Sequence, residues 1–132
     1  MSELRFQLVP VPVADVDRSI SFYAGQVGFA LDHDVRPAPG LRVAQLTPPG
    51  SACSILLSTG LGEISAMTPG ALRGLHLVVD SITAARDALL ARGVEVGQID
   101  DVGGGVRMAR FADPDGNSWL LQEIPANLVP PS

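Results

Sequence analysis

The sequence predicts an α+β protein made of two tandem β-α-β-β-β modules. Three observations carry this. Each half opens with a valine-rich strand that runs into a polar helix cap, Asp15 in the first half and Asp80-Ser81 in the second. Each continues with one amphipathic helix and then three strands separated by turns rich in Gly and Pro. The halves align at an offset of about 65 residues, with Val13-Ala14-Asp15 against Val78-Val79-Asp80 and Ile55-Leu56-Leu57 against Trp119-Leu120-Leu121. A single unit of this kind cannot bury its sheet face alone, so two belong together.

Phe6 to Val13 is apolar and β-branched, which favours a strand. Pro10 and Pro12 lack backbone donors on the same side of it, so that side faces an edge, a bulge or solvent. Asp15 is placed to cap a helix, with Asp17 in the first turn near the positive dipole end. Val16, Ile20, Tyr23 and Val27 form one apolar stripe, and Gly28 is a natural stop. Phe29–Arg36, Leu41–Thr47 and Ala52–Ser58 follow as strands, joined by turns at Pro37–Gly40 and Pro48–Ser51. Thr59 to Arg73 has no clear period and reads as a linker with room for a short helical turn.

The second module starts at Gly74. Gly74–Val79 is a strand, Ile82, Ala85 and Leu89 form a helical stripe, and Gly93 ends it. Val94–Ile99, Val106–Ala112 and Ser118–Glu123 are predicted strands. Gly103–Gly105 and Asp113-Pro114-Asp115-Gly116-Asn117 are the turns between them. The expected layout is one domain over 1–132: module 1 at about 5–59, linker 60–73, module 2 at about 74–124, and a proline-rich tail at 125–132.

Composition excludes several function classes. The chain has 132 residues, nine Arg, no Lys, a net charge of −5 and 46% hydrophobic residues. It lacks the basic stripe that a phosphate backbone requires, so nucleic acid is not an expected partner. Without lysine, Schiff-base chemistry and a Walker-type loop are excluded. No apolar run reaches the length of a membrane helix, and Met1 to Arg5 lacks a signal-peptide pattern. One cysteine makes no intrachain disulfide. A cytoplasmic protein without a membrane partner is the expectation.

Phe22-Tyr23 with Val27-Gly28-Phe29, Phe111 to Trp119 including the Asp-Pro-Asp-Gly-Asn turn, and Leu121-Gln122-Glu123 together resemble the vicinal oxygen chelate superfamily, the glyoxalase, bleomycin-resistance and extradiol dioxygenase family. The resemblance covers about residues 5–124. It implies curved mixed sheets enclosing a cleft, a homodimer, and, in the enzymes of the family, a divalent metal held by His, Glu or Gln. Carried over by position, those ligand sites fall on Leu8, Leu56, Gly74 and Leu120. Three leucines and a glycine offer no side-chain donor to a divalent ion. The resemblance is therefore to a metal-free, bleomycin-resistance-like branch, with no metal and no cofactor expected. Whether the cleft forms within one chain or across a dimer is left open.

His76 lies two residues after Gly74 and shares its strand face, so it is a candidate base or ligand contact; the plainer alternative is a half-buried structural histidine. Gln122 shares the face of Leu120 and can both donate and accept, or it can be a rim residue. Arg107 and Arg110 lie on opposite sides of one strand, so one should face the cleft and pair with a carboxylate or phosphate. Leu8, Pro10, Leu56, Val78 and Leu120 form an apolar floor. Ser54, Ser58 and Ser118 share the ligand-site parity but show no triad pattern. Trp119 and Tyr23 are expected in the core, and Cys53 as a small filler. His33 sits between Asp32 and Asp34, whose side chains alternate along a strand and do not converge.

The expected function is binding of a small, planar or partly apolar molecule, with sequestration of an antibiotic or metabolite as the role. The alternatives are a metal-free lyase, isomerase or epimerase using His76 as base, and a metal-dependent lyase or dioxygenase of the same superfamily.

Overall fold

A computed structural model describes residues 2–125. The tail expected at 125–132 lies outside the described residues except for Pro125. The described strands are β1 (Leu8–Pro10), β2 (Ala30–Ala38), β3 (Leu41–Thr47), β4 (Ser54–Thr59), β5 (Leu75–Val78), β6 (Asp100–Gly103), β7 (Val106–Ala112) and β8 (Ser118–Glu123). The helices are α1 (Val16–Ile20), which continues as a π-helical segment over Ser21–Val27, α2 (Gly62–Ser65) and α3 (Ile82–Ala91). No described helix is long and apolar enough to cross a membrane. The strands form two four-stranded mixed sheets, β1-β4-β3-β2 and β5-β8-β7-β6. The predicted α+β class with two β-α-β-β-β modules is therefore present. The described residues divide into two compact units: 2–72 with 113–117, and 73–112 with 118–125.

In the first unit β1 lies parallel to β4 at the sheet edge. Val11 N–H donates to Leu56 O at 2.9 Å, so the flanking prolines point their missing donors outward, as their spacing requires. β1 is shorter than the predicted Phe6–Val13. Asp15 caps α1, accepting from Arg18 N at 3.1 Å. The helix then widens, and Gly28 at φ 96° closes it with N–H bonds from Gly28 and Phe29 to Tyr23 O. The widened turn buries two consecutive rings, Phe22 and Tyr23. Tyr23 stacks on Phe29 at 5.6 Å. They cover the sheet face carrying Ala44, Leu46, Ile55 and Leu57, all buried.

On the same face Arg42 bridges strand and helix. It holds both Asp34 oxygens, at 2.9 and 2.8 Å, and reaches Asp17 at 2.8 Å. Its hydrogen bonds keep the Asp34 carboxyl below its ordinary value of 3.8, with the charges of Arg42 and Arg36 adding to the effect. A carboxyl lowered by folding stabilises above its unfolded value and loses that contribution as pH falls through the folded one. The stability difference between wild type and Asp34→Asn is therefore expected to hold from pH 7 to about 5 and to shrink below about 4. Thermal melts across that range check it; a difference unchanged at pH 2 would rule it out.

The turn Asp113–Asn117 packs within the first unit. Asp113 accepts from Tyr23 Oη at 2.7 Å, from Asn117 Nδ2 at 2.8 Å, and from the amides of Asp115 and Asn117 at 3.0 and 2.9 Å. Asn117 in turn donates to Pro12 O and accepts from Leu72 N. Asp115 accepts from Ala14 N and pairs with Arg18, both at 3.2 Å.

In the second unit Ser81 caps α3, accepting from Ala84 N, and Glu123 accepts from a different first-turn amide, Ile82 N, at 2.9 Å. The helix lies against β7 and β8. Trp119 stacks parallel on Phe111 at 6.1 Å, and both are buried. The predicted strand Val94–Ile99 is not a ladder strand: Gly97 N–H donates to Arg110 O of β7 at 2.8 Å, but strand pairing begins at Asp100. Val94 and Val96 are buried as the alternation implied. However, Arg86 takes the carbonyls of Val96 and Gly97, at 3.4 and 2.7 Å, so they do not serve a neighbouring strand.

Candidate functional site

Each sheet has one face against helix and rings and an opposite face, open in the second unit, and strand register assigns every residue to one or the other. In the second unit, His76 pairs with Leu120 and Leu120 with Arg110, which makes one row across β5, β8 and β7. Val78, Gln122, Met108 and Asp100 make the next row. Both rows lie opposite Trp119, Leu121 and Phe111, on the open face. Of the second unit's predicted site residues, His76, Val78, Leu120, Gln122 and Arg110 therefore share one surface.

Arg107 does not. It pairs with Glu123 in register and as an ion pair at 3.6 Å, on the side where Glu123 caps α3. Its inclusion among the ligand contacts is corrected on that ground. The sequence showed that the two arginines diverge, but only the pairing with β8 shows which one reaches the open face.

His76 is exposed, not half-buried. Its Nδ1 lies 2.5 Å from Gly74 O. A carbonyl only accepts, so Nδ1 carries the hydrogen, and Nε2 is the ring nitrogen left for another partner. Gly74 N–H donates to Ser118 Oγ at 2.9 Å, which ties the start of β5 to β8. Val78 is 57% exposed although it lies on a four-stranded sheet. Among the described residues the Arg110 guanidinium makes no hydrogen bond or ion pair. Its neighbours in its own row are hydrocarbon and imidazole.

In the first unit, the face opposite the helix carries Leu8, Ser54 and Thr47 in one row, then Pro10, Leu56, Gln45 and His33, with Ser54 and Leu56 buried. Leu8, Pro10 and Leu56 thus share a face as expected. A polar file absent from the sequence reading crosses it. Gln45 Nε2 donates to Ser54 Oγ at 3.4 Å, Ser54 and Thr47 share a hydroxyl bond of 2.6 Å, and Thr47 Oγ1 donates to Asp32. Ser54 was placed by parity, whereas Asp32 follows from a bulge between Leu31 and His33 that the sequence does not announce. The bulge breaks the alternation, so Asp32 and His33 both meet the Gln45–Thr47 side, while Asp34 turns to Arg42. The expected alternation of all three residues is corrected accordingly.

The positions that would hold a divalent ion, Leu8, Leu56, Gly74 and Leu120, present hydrocarbon or no side chain. Among the described residues, no three His, Cys, Asp or Glu side chains gather in a way that could hold a metal. The donor set does not fit the ion that the resemblance associates with the enzymes of the family.

A family model, the Glyoxalase/Bleomycin resistance protein/Dioxygenase superfamily, matches residues 5–121. TnmS3, an antibiotic binding protein from Streptomyces sp. CB03234, is 36% identical over 95% of this chain and 99% of its own, with a TM-score of 0.80. A glyoxalase/bleomycin resistance protein from the same organism is 38% identical, covering 89% and 98% of the two chains, with a TM-score of 0.74. A member of the superfamily from Sphaerobacter thermophilus DSM 20745 is 28% identical over 92% and 98%, with a TM-score of 0.78. No curated protein matches the chain.

Proposed function

The chain belongs to the Glyoxalase/Bleomycin resistance protein/Dioxygenase superfamily, and we propose that it is a binding protein for a small, partly apolar molecule, with sequestration of an antibiotic or metabolite as its role. The observation that carries this reading is the open face of the second unit's sheet. There Val78, Leu120 and Met108 provide hydrocarbon, with His76, Gln122 and Arg110 as polar guides. A mostly apolar surface with a few placed polar groups is the composition of a small-molecule site. Likeness to an antibiotic binding protein at 36% identity supports the same class.

The neutral dye N-phenyl-1-naphthylamine tests the apolar part. Wild type is expected to bind it saturably, and Val78→Asp to weaken binding about tenfold or more by placing a carboxylate among the hydrocarbon groups. Val78 is exposed, so the substitution leaves the core intact. Binding unchanged in Val78→Asp, or no saturable binding in wild type, would refute the assignment.

A further inference from the structure

We infer that the ligand is an anion: a largely apolar molecule whose carboxylate, sulfonate or ionised phenolic oxygen pairs with Arg110. The inference rests on the small-molecule reading above and adds the ligand's charge. Four other arginines have their guanidinium groups held by acceptors of this chain. Arg42 is held by Asp34 and Asp17, Arg18 by Asp115, Arg107 by Glu123, and Arg86 by two carbonyls. Arg110, among the described residues, has no such partner.

Its position makes that matter. β7 is an interior strand, and Arg110 stands on it beyond the Val106–Met108 stretch that β6 pairs, where Gly97 N–H reaches its carbonyl at 2.8 Å. Across the sheet its neighbour is Leu120, and beyond it His76. The carboxylate on the same face, Asp100, stands in the adjoining row opposite Met108, on the edge strand. A cation beside hydrocarbon, left unneutralised by the fold, is the arrangement that rewards an anionic oxygen arriving with an apolar body, because a charge-assisted guanidinium bond strengthens as water is excluded. His76 adds direction. Its Nδ1 is committed to Gly74 O, which leaves Nε2 to hydrogen-bond a polar group on the same ligand. Arg110 and His76 stand two strand spacings apart, roughly 10 Å, which suits a ligand of two or three fused rings.

The test compares 8-anilinonaphthalene-1-sulfonate with its neutral analogue N-phenyl-1-naphthylamine, by fluorescence titration of the full chain. Wild type is expected to favour the sulfonate. Arg110→Gln should weaken sulfonate binding about tenfold or more while changing the neutral dye less than about twofold. Arg110→Lys should retain most of the preference. Arg36→Gln removes the same charge from an exposed position in the other unit and should leave both dyes unaffected. Circular dichroism melts confirm that each variant is folded. If the neutral dye binds but the sulfonate has no advantage, or if Arg110→Gln weakens both dyes alike, the anion assignment falls and the small-molecule reading stands. If Arg36→Gln reproduces the sulfonate loss, the effect belongs to net charge and the assignment also falls. If neither dye binds saturably, both fall together.

Discussion

Replacing Asp113 by Ala is expected to lower the unfolding free energy by about 3–5 kcal/mol. The carboxylate accepts four hydrogen bonds in a site that is almost fully buried. Removing it strands the Tyr23 hydroxyl and one Asn117 amide hydrogen, and both of these side chains are 0% exposed. Two buried donors without acceptors cost about 1–3 kcal/mol each, and the lost turn bonds add to that. Tyr23→Phe removes one donor and leaves the carboxylate three others, so it is expected to cost only about 1 kcal/mol. The contrast separates the acceptor from the ring, whose stacking on Phe29 survives in Tyr23→Phe. Urea titrations followed by circular dichroism measure both. A loss below about 1 kcal/mol for Asp113→Ala would show that the network does not hold the turn.

Gly70→Ala is expected to be comparably severe, for a steric reason. Gly70 has φ +81°, and a Cβ there would lie 2.1 Å from the carbonyl oxygen of Asp115. That oxygen belongs to the backbone of the turn anchored by Asp113, so it cannot swing aside as a side chain would. The left-handed conformation alone costs an alanine about 1–2 kcal/mol; the collision adds the displacement of either the turn or the Gly70–Pro12 hydrogen bond. A fall in Tm on the order of 10 °C is expected. Gly50→Ala is the matched control, since Gly50 has φ +79° with nothing within 4 Å. It should show the conformational cost alone. Equal effects at the two positions would remove the collision from the account.

These two substitutions also show where the sequence stops being legible. The Asp113–Asn117 turn could be read from its own residues, because proline, glycine and the aspartate side chain act on their immediate backbone. That its side chains would hold Pro12, Tyr23 and Leu72 could not, because those partners lie 45 to 105 residues away. The same division holds for the candidate site. Parity along β5 and β8 placed His76, Val78, Leu120 and Gln122 on one face, since side chains alternate in any strand. Choosing Arg110 over Arg107 required the register of β7 on β8. The Asp32–Thr47–Ser54–Gln45 file required a bulge with no mark in the sequence.

Local chemistry thus determined the element order, the helix starts at Asp15 and at Asp80 or Ser81, the stops at Gly28 and Gly93, and the outward edge at Pro10 and Pro12. Caps, left-handed glycines and missing donors act within a few residues, so the chain carries them wherever it folds. Only the tertiary structure decided that Arg86 would occupy the carbonyls of Val96 and Gly97 and displace the predicted strand to Asp100–Gly103. It alone left Arg110, among the described residues, without a hydrogen-bond or ion-pair partner beside hydrocarbon. Both outcomes depend on which distant groups compete for the same donor or charge, and that competition is settled when the sheets and helices pack.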